Sequence, residues 1–172
     1  MKPNLPLVTI ITPSYNQADY LEQTIRSVLA QDYPNLEYLV VDGGSTDGSV
    51  EILRRYEDQI DWWVSEPDQG QADALNKGIA RSRGQIVAWL NSDDVYRPGA
   101  IQDAVQALLD NPEVGFVYSK LDSIDRWGQV FNTISYRQFD LLDLLTFRII
   151  GQPTVFMRRE VLEQAGELDI SY

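Results

Sequence analysis

The sequence contains no cysteine and no histidine. Without cysteine, disulfides and thiolate metal sites are excluded. Without histidine, imidazole general bases, Ser-His triads and His-ligated zinc are excluded as well. Basic residues are scarce, with 14 Lys and Arg against 26 Asp and Glu and a net charge of -12. That balance repels nucleic acid and anionic lipid, so no nucleic-acid partner is expected. Arg54-Arg55 and Arg158-Arg159 are isolated pairs, and the second reads as a solvated helix face rather than a phosphate clamp. Long apolar runs are missing too. Residues 7–11 are far too few to span a bilayer, and no signal peptide is visible. A cytoplasmic location is expected, free or against the inner face of the membrane. Any catalysis must fall to carboxylates, bound metal and backbone.

What is present is enough for one ordinary domain. The chain has 172 residues, 44% of them hydrophobic, which fits a single folded unit with a real core. It is organised around Ile86-Val87-Ala88-Trp89-Leu90-Asn91-Ser92-Asp93-Asp94. Five apolar residues read as a buried parallel strand. In open α/β sheets, ligands bind just outside the carboxyl ends of the strands. If the extended path continues, Asn91 and Asp93 point the same way. Two hard oxygen ligands then suit Mg²⁺ or Mn²⁺ carrying a phosphate. The plainer alternative is that Asp93-Asp94 caps the strand and opens a turn.

Upstream, strands and helices alternate. Residues 7–11 form a β-branched strand, and Asn16 reads as the N-cap of a helix carried by Leu21, Ile25, Val28 and Leu29. Residues 36–41 form a second strand, ending in Asp42-Gly43-Gly44-Ser45-Thr46-Asp47, where Asp47 caps the next helix. Trp62-Trp63-Val64 is a third strand, with the tryptophans in the core rather than forming a stacking platform. Gly70 turns into a third helix with Ala72, Leu75 and Ile79 on one face. This alternation means βαβ units and a parallel sheet. Right-handed crossovers place the first three strands in order and return the strand at Ile86 beside the first. Residues 13–16, Asp42 and 91–93 then converge on one crevice at the switch point, which favours a nucleotide-like ligand. Downstream, Ile101, Ala104, Val105 and Leu108 stripe a helix, residues 114–118 read as a strand, and Val130-Phe131 return from a turn at Trp127-Gly128. Residues 139–150 are apolar on several faces. They read as a core or partner-covered helix, the sharper alternatives being a peripheral membrane contact or a homodimer face. Residues 151–156 read as a loop and short strand, and 158–165 as a short helix.

The motifs Val8-Thr9-Ile10-Ile11-Thr12-Pro13-Ser14-Tyr15-Asn16, Val40-Val41-Asp42-Gly43-Gly44-Ser45-Thr46-Asp47-Gly48-Ser49 and Leu90-Asn91-Ser92-Asp93-Asp94, with Gly151-Gln152-Pro153 and Gly166-Glu167-Leu168-Asp169, together resemble the family 2 glycosyltransferases. The resemblance implies an α/β fold of the GT-A type, a mostly parallel central sheet with helices on both faces. It implies a single domain over 1–172, with 1–97 as the nucleotide-sugar half and 98–172 as a partial acceptor half. It further implies inverting transfer from a nucleotide diphosphate sugar, UDP-linked above others, to a saccharide or lipid-linked acceptor, as in cell-surface polysaccharide synthesis. By position, Thr12, Pro13, Ser14, Tyr15 and Asn16 line the base and ribose, and Asp42 accepts from the base. Gly70, Ala72 and Asn76 border the nucleotide, with Asn91 and Ser92 beside it. Asp93 holds the metal, Mg²⁺ or Mn²⁺, and Gln152 and Asp94 face sugar or acceptor. Tyr15 as packing, Asp42 as a loop cap and Gln152 as loop structure are the plainer readings.

Three departures stand out. Asn91 replaces the usual first Asp of the Asp-x-Asp motif, Gly43 a common second acid, and Leu75 a frequent Arg, with Lys77 pointing elsewhere. An inverting transfer also needs a general base. In relatives it comes just beyond the segment matched by 166–169. The sequence stops at Tyr172, so the true base is expected beyond Tyr172 and the chain reads as incomplete at its C-terminus. Asp169 is the only late carboxylate offered for that role. A nucleotidyltransferase is the competing enzyme class, disfavoured because residues 13–16 carry no Lys or Arg for a triphosphate. A non-catalytic nucleotide-sugar binding module is the competing non-enzyme class.

Overall fold

The computed structural model describes residues 5–136 and 150–171. The first half follows the predicted alternation: β1 (Val8–Ser14), α1 (Ala18–Leu29), β2 (Leu36–Asp42), α2 (Ser49–Arg55), β3 (Trp62–Ser65), α3 (Gln71–Arg81) and β4 (Ile86–Trp89). Then come α4 (Ala100–Asp110), β5 (Phe116–Val117), β6 (Leu121–Ile124), β7 (Val130–Ile134), a 3₁₀ turn (Gln152–Thr154), β8 (Phe156–Arg158) and α5 (Arg159–Ala165). The main sheet runs β3-β2-β1-β4-β8-β5. β1 pairs in parallel with both β2 and β4, so the chain does return beside its first strand. β8 is antiparallel to both its neighbours. It extends the sheet of the first half, so the two halves share one sheet.

The apolar runs are explained by burial on both faces. Val8, Ile10, Val40 and Ala88 pack with Leu21 and Ile25 of α1, Leu53 of α2, and Ile101, Val105 and Leu108 of α4. On the other face Ile11, Leu39 and Val87 pack with Leu75 of α3, and Leu162 and Leu168 close over them. The two strand tryptophans divide, Trp63 to the first cluster and Trp62 to the second. Gly78 lets α3 lie against β1, since a Cβ there would come within 2.5 Å of Ile11 Cγ2.

Several expectations are corrected. α1 starts at Ala18 with Gln17 as its N-cap, because Asn16 takes a left-handed φ of 51° that places it outside the helix. The strand predicted over 114–118 shrinks to two residues, since only Phe116 and Val117 face β8. Neither Arg158 nor Arg159 forms a solvated helix face. Arg158 donates to the Val114 and Leu108 carbonyls at 2.8 and 2.7 Å, closing the C-terminal end of α4. Arg159 donates to the Gly84 carbonyl and to Ser82 Oγ, just after α3. Cations at helix C-termini meet unpaired carbonyls and the negative end of the helix dipole. Two expectations fall outside the described residues. One is the apolar stretch predicted as a helix over residues 139–150, all but the last of which lie outside them. The other is the chain end at Tyr172, past which the general base is expected.

The end of the sheet opposite the candidate site is tied by Glu37. Its carboxylate accepts from Thr9 Oγ1 at 2.6 Å, the Arg83 N–H at 2.8 Å and Arg83 Nε at 2.6 Å. Gly84 N–H in turn donates to Thr9 Oγ1. β1, β2 and the α3–β4 loop are thus joined through one buried acid. Burial alone would raise the Glu37 carboxyl; the Thr9 and Arg83 hydrogen bonds outweigh it and hold it below the usual value. Glu37→Ala is expected to lose about 1–3 kcal/mol at pH 7, the cost of leaving buried donors unmatched. Because the folded pKa is depressed, this contribution is complete above about pH 4.3 and fades as the pH falls further. Urea titrations from pH 7 to pH 3 should show the wild-type advantage shrinking over the acid end; an advantage that does not change with pH would contradict the assignment.

Candidate functional site at the carboxyl edge of the sheet

The ends of β1, β2 and β4 lie side by side, as the predicted switch point requires. The loops that leave β1 and β2 are stitched together. Asn16 N–H donates to Ser45 Oγ at 2.7 Å, and Asn16 Oδ1 accepts from Thr46 N–H at 2.9 Å. Asp47 accepts from the first N–H of α1, at Ala18, and of α2, at Ser49. It therefore caps two helices rather than the one expected. A carboxylate at helix N-termini satisfies free N–H groups and complements the dipole.

The predicted nucleotide-side residues separate into open and closed ones. Tyr15 and Asn16 are both exposed on the rim. Thr12 is fully buried and hydrogen-bonds Tyr38 OH at 3.1 Å, so strand alternation turns it into the core. Pro13 is buried beside it, and Ser14 is 5% exposed with an Oγ that has no partner among the described residues. Asp42 is 0% exposed. Its Oδ1 accepts from Ser45 Oγ at 2.5 Å, and its Oδ2 from Ser65 Oγ at 2.7 Å, Ser45 N–H at 2.9 Å and Gly44 N–H at 3.2 Å. In this arrangement Asp42 braces its own loop instead of standing open to a base.

β4 ends at Trp89, and residues 91–94 form a turn closed by the Asp94 N–H to the Asn91 carbonyl at 3.0 Å. The extended path does not continue, so the simple argument that Asn91 and Asp93 share a face fails. Asn91 Oδ1 instead accepts from Gln71 Nε2 at 2.6 Å. Ser92 is buried and Asp93 exposed. Asp94 is held by Thr24 Oγ1 donating to its carbonyl. Desolvation, with the adjacent Asp93 charge adding to it, pushes the Asp94 carboxyl up to about 6. No group of three His, Cys, Asp or Glu side chains among the described residues forms a closed cage for metal. Mg²⁺ and Mn²⁺ sites on phosphate substrates do not need one, since one or two carboxylates plus phosphate oxygens complete the shell. Asp93 and Asp94 fit that pattern, and a cation would offset the desolvation and the Asp93 charge that together raise Asp94.

Around this turn, Gly70 opens α3 with a φ of 106°, and Ala72 is half-buried on its first turn. Asn76 is elsewhere engaged: its amide exchanges hydrogen bonds with the Leu168 N–H and carbonyl at 2.9 and 2.8 Å. It ties α3 to the 166–169 segment. Leu75 is core, and Lys77 is held by Glu66 and Asp73. Gln152 Nε2 donates to the Trp89 carbonyl at 2.7 Å, while its buried Oε1 has no partner among the described residues. Asp169 is exposed, and the Ser171 side chain and N–H keep its carboxyl below the usual range, which makes it a weak proton acceptor. The described residues end two positions later at Ser171, so Tyr172 lies outside them, and Asp169 is the last carboxylate they include.

Beyond Asp93 and Asp94 opens a cavity of about 510 Å³ between α4 and the β6–β7 hairpin, with Pro153, Thr154 and Phe156 in its wall. Arg97, three residues after Asp94, pairs with Asp122 of β6 at 2.6 Å and latches the hairpin to this turn. Sequence reading missed Gln71, Arg97 and Asp122. Each acts through a partner distant in the chain, and no local pattern marks it.

In metal-free protein, Asp94 should lower stability as the pH rises. Its folded pKa lies above the ordinary value of about 3.9, so folding favours the protonated form and the penalty develops between about pH 4 and 6. Asp94→Asn is expected to melt about 3 °C or more above wild type at pH 7.5 with chelator present, and at the same temperature as wild type at pH 4. Thermal melts at the two pH values check this.

Comparison with known proteins gives a consistent picture. The family model described as glycosyl transferase family 2 matches residues 9–166. The chain is 34% identical over 170 residues to the Bacillus subtilis protein named as the putative teichuronic acid biosynthesis glycosyltransferase TuaG, covering 96% of this chain and 66% of that one. It is 42% identical over 130 residues to an uncharacterized glycosyltransferase of Rickettsia prowazekii, covering 73% of this chain and 40% of the relative. Among solved structures it resembles a Pyrobaculum calidifontis mannosyltransferase in complex with GDP-Man and Mn²⁺, with 27% identity and a TM-score of 0.75 over 98% of this chain and 49% of that one. The fold is also that of S. aureus TarS residues 1–349 in complex with UDP-GlcNAc, at 22% identity and a TM-score of 0.75 over 92% and 47% of the two chains. The chain thus spans two-thirds or less of these relatives' lengths. With the family model covering most of its residues and the sheet order and crevice in agreement, the chain belongs to glycosyl transferase family 2.

Proposed function

We propose that this chain moves a sugar from a nucleotide diphosphate donor, UDP- or GDP-linked, to a saccharide or lipid-linked acceptor, with inversion at the anomeric carbon. The observation that carries the reading is the pair Asp93–Asp94 at the switch point, one carboxylate exposed and its neighbour raised to about 6. The donor nucleoside lies along the ends of β2 and β1, between the Tyr15–Asn16 loop and the start of α3. Its diphosphate reaches the β4 turn. Mg²⁺ or Mn²⁺ bound there supplies Lewis-acid stabilisation of the leaving diphosphate. Asp93 is the residue that holds it. Asn91, whose Oδ1 accepts from Gln71, adds no charge beside Asp93, which fits weaker metal affinity than a pair of aspartates.

The transferred sugar points past Asp94 and Gln152 toward the 510 Å³ cavity, where the acceptor hydroxyl approaches. Gln152 has a free acceptor oxygen for a sugar hydroxyl once it is uncovered. The acceptor's proton goes to a carboxylate, and Asp169, in the segment that Asn76 holds, is the candidate among the described residues, with a carboxyl below the usual range that makes it a weak base. Cell-surface polysaccharide assembly is the setting. Among the described residues no helix is long and apolar enough to cross a membrane. A binding module without transfer has no separate observation in its favour.

Calorimetric titration of UDP and GDP, each with and without Mn²⁺, tests the donor site. One of the two should bind at least tenfold more tightly with Mn²⁺, about 1.4 kcal/mol. Asp93→Asn should remove that metal dependence. Equal binding with and without the ion, in both proteins, would refute the metal assignment.

A further inference from the structure

Large apolar side chains are seldom left in water as a group. Here they gather on one element. The β6–β7 hairpin forms a sheet of its own, unpaired with the main one. Trp127 in its turn is 72% exposed, and Phe131 at the start of β7 is 73% exposed. Ile124 of β6 and Val130 and Ile134 of β7 are exposed as well. β7 itself, Val130–Ile134, carries no charge to keep this surface wet.

The turn between the strands closes its own hydrogen bonds. Asp125 Oδ1 accepts from the Trp127 and Gln129 N–H groups, both at 2.9 Å. The Asp125 carbonyl accepts from Gly128 N–H at 2.9 Å, and Asp125 N–H donates to the Gln129 carbonyl at 3.0 Å. Gly128 takes the left-handed φ of 79° that the turn requires. Unmatched backbone groups are what keep loops out of lipid. With these amides satisfied inside the turn, its tip can leave water at little cost.

Charge points the same way. The chain as a whole carries -12 and repels anionic lipid. The hairpin does not share that charge. Over residues 116–136, Lys120 and Arg126 balance Asp122 and Asp125, and Asp122 is already paired with Arg97 at 2.6 Å. At physiological salt a charge is screened beyond about 8 Å, so a surface that approaches the tip feels the hairpin and not the whole chain. The Arg126 guanidinium lies over the Trp127 ring, 4.7 Å from its centroid. An indole with a cation beside it suits the head-group level of a bilayer, where one end is apolar and the other meets phosphate. The hairpin also walls the 510 Å³ cavity, which runs from Asp93 and Asp94 to Ile124 and Gly128.

We propose that the tip of the β6–β7 hairpin docks on a phospholipid bilayer bearing anionic head groups, with Trp127 and Phe131 entering the interface and Arg126 meeting phosphate. A bilayer held there borders the cavity that leads to Asp93, which selects a lipid-linked acceptor over a free saccharide. That choice of acceptor rests on the sugar-transfer reading above; the docking does not.

The test is sedimentation of the whole chain with vesicles of phosphatidylcholine alone, and of phosphatidylcholine mixed equally with phosphatidylglycerol, at physiological salt. No nucleotide or metal is added, so the result is independent of the donor site. Wild type should bind the mixed vesicles. Trp127→Ser together with Phe131→Ser should weaken that binding roughly tenfold or more, the loss expected from two large apolar side chains. Arg126→Gln should weaken it about fivefold and leave binding to phosphatidylcholine alone unchanged. All three side chains are exposed, so thermal melts of the variants should match wild type. Brominated phosphatidylcholine in the mixed vesicles should quench tryptophan emission in wild type. Trp127→Phe should keep most of the binding and lose the quenching, because Trp62, Trp63 and Trp89 belong to the main sheet. Wild type that does not bind the mixed vesicles, or a folded double variant that binds them equally well, overturns the proposal. So does a wild-type dimer in gel filtration that the double variant dissolves, since the patch then belongs to a second copy. Docking as expected in a chain that binds neither UDP nor GDP overturns the lipid-linked acceptor together with the transfer reading and leaves the docking surface in place.

Discussion

The carboxylate of Asp42 holds the working edge of this sheet together. It is wholly buried, and a buried carboxylate costs several kcal/mol unless its lone pairs are used. Four hydrogen bonds from three residues meet that requirement, and one of them comes from Ser65 on the neighbouring strand. The loops after β2 and β3 are thereby drawn to one point. Around it the other acids follow the same logic. Asp47 joins the starts of α1 and α2, and Asp68, in the loop between β3 and α3, lies over Gly43. Asp42, Asp47 and Asp68 thus stand where backbone N–H groups of loops and helix starts converge.

The two ends of the sheet are built from opposite chemistry. At the carboxyl edge, carboxylates accept from N–H groups of loops and helix starts. At the amino edge, Glu37 meets Arg83, while Arg158 donates to carbonyls in and after the last turn of α4 and Arg159 to one just after α3. The helix dipoles run from one edge to the other, so the sign of the side chains matches the sign of the exposed backbone at each end. A cation bound at Asp93 belongs to the acid-rich edge and does not disturb the other.

The first half of the fold was legible because strands buried on two faces must be continuous apolar runs, and residues 38–41 and 86–90 are such runs. The place of β4 beside β1 followed from crossover handedness. Side-chain direction at the edge was not legible. Thr12 sits in the right loop by position, yet alternation turns it inward to Tyr38. Asn91 looks like a partner of Asp93 only while the strand is imagined to go on; the turn at 91–94 breaks that geometry. A short strand was read over 151–156, but β8 lies at 156–158, and three residues carry no period that shows its antiparallel place between β4 and β5. Asn76 and the two arginines find their partners 44 to 92 residues away in the chain, where no pattern of spacing points.

The position of β8 between β4 and β5 dictates an order of assembly. β1 to β4 are joined by local crossovers and are complete once residue 89 has been made. Among the described residues β5 has no neighbour in the main sheet except β8, which is synthesised later. As the chain leaves the ribosome, the first four strands therefore form a nascent sheet with β4 as a bare edge. A bare edge is where chains pair wrongly with one another. Nascent-chain crowding and chaperone demand should then peak after β4 has formed and end when Phe156, Met157 and Arg158 close the sheet.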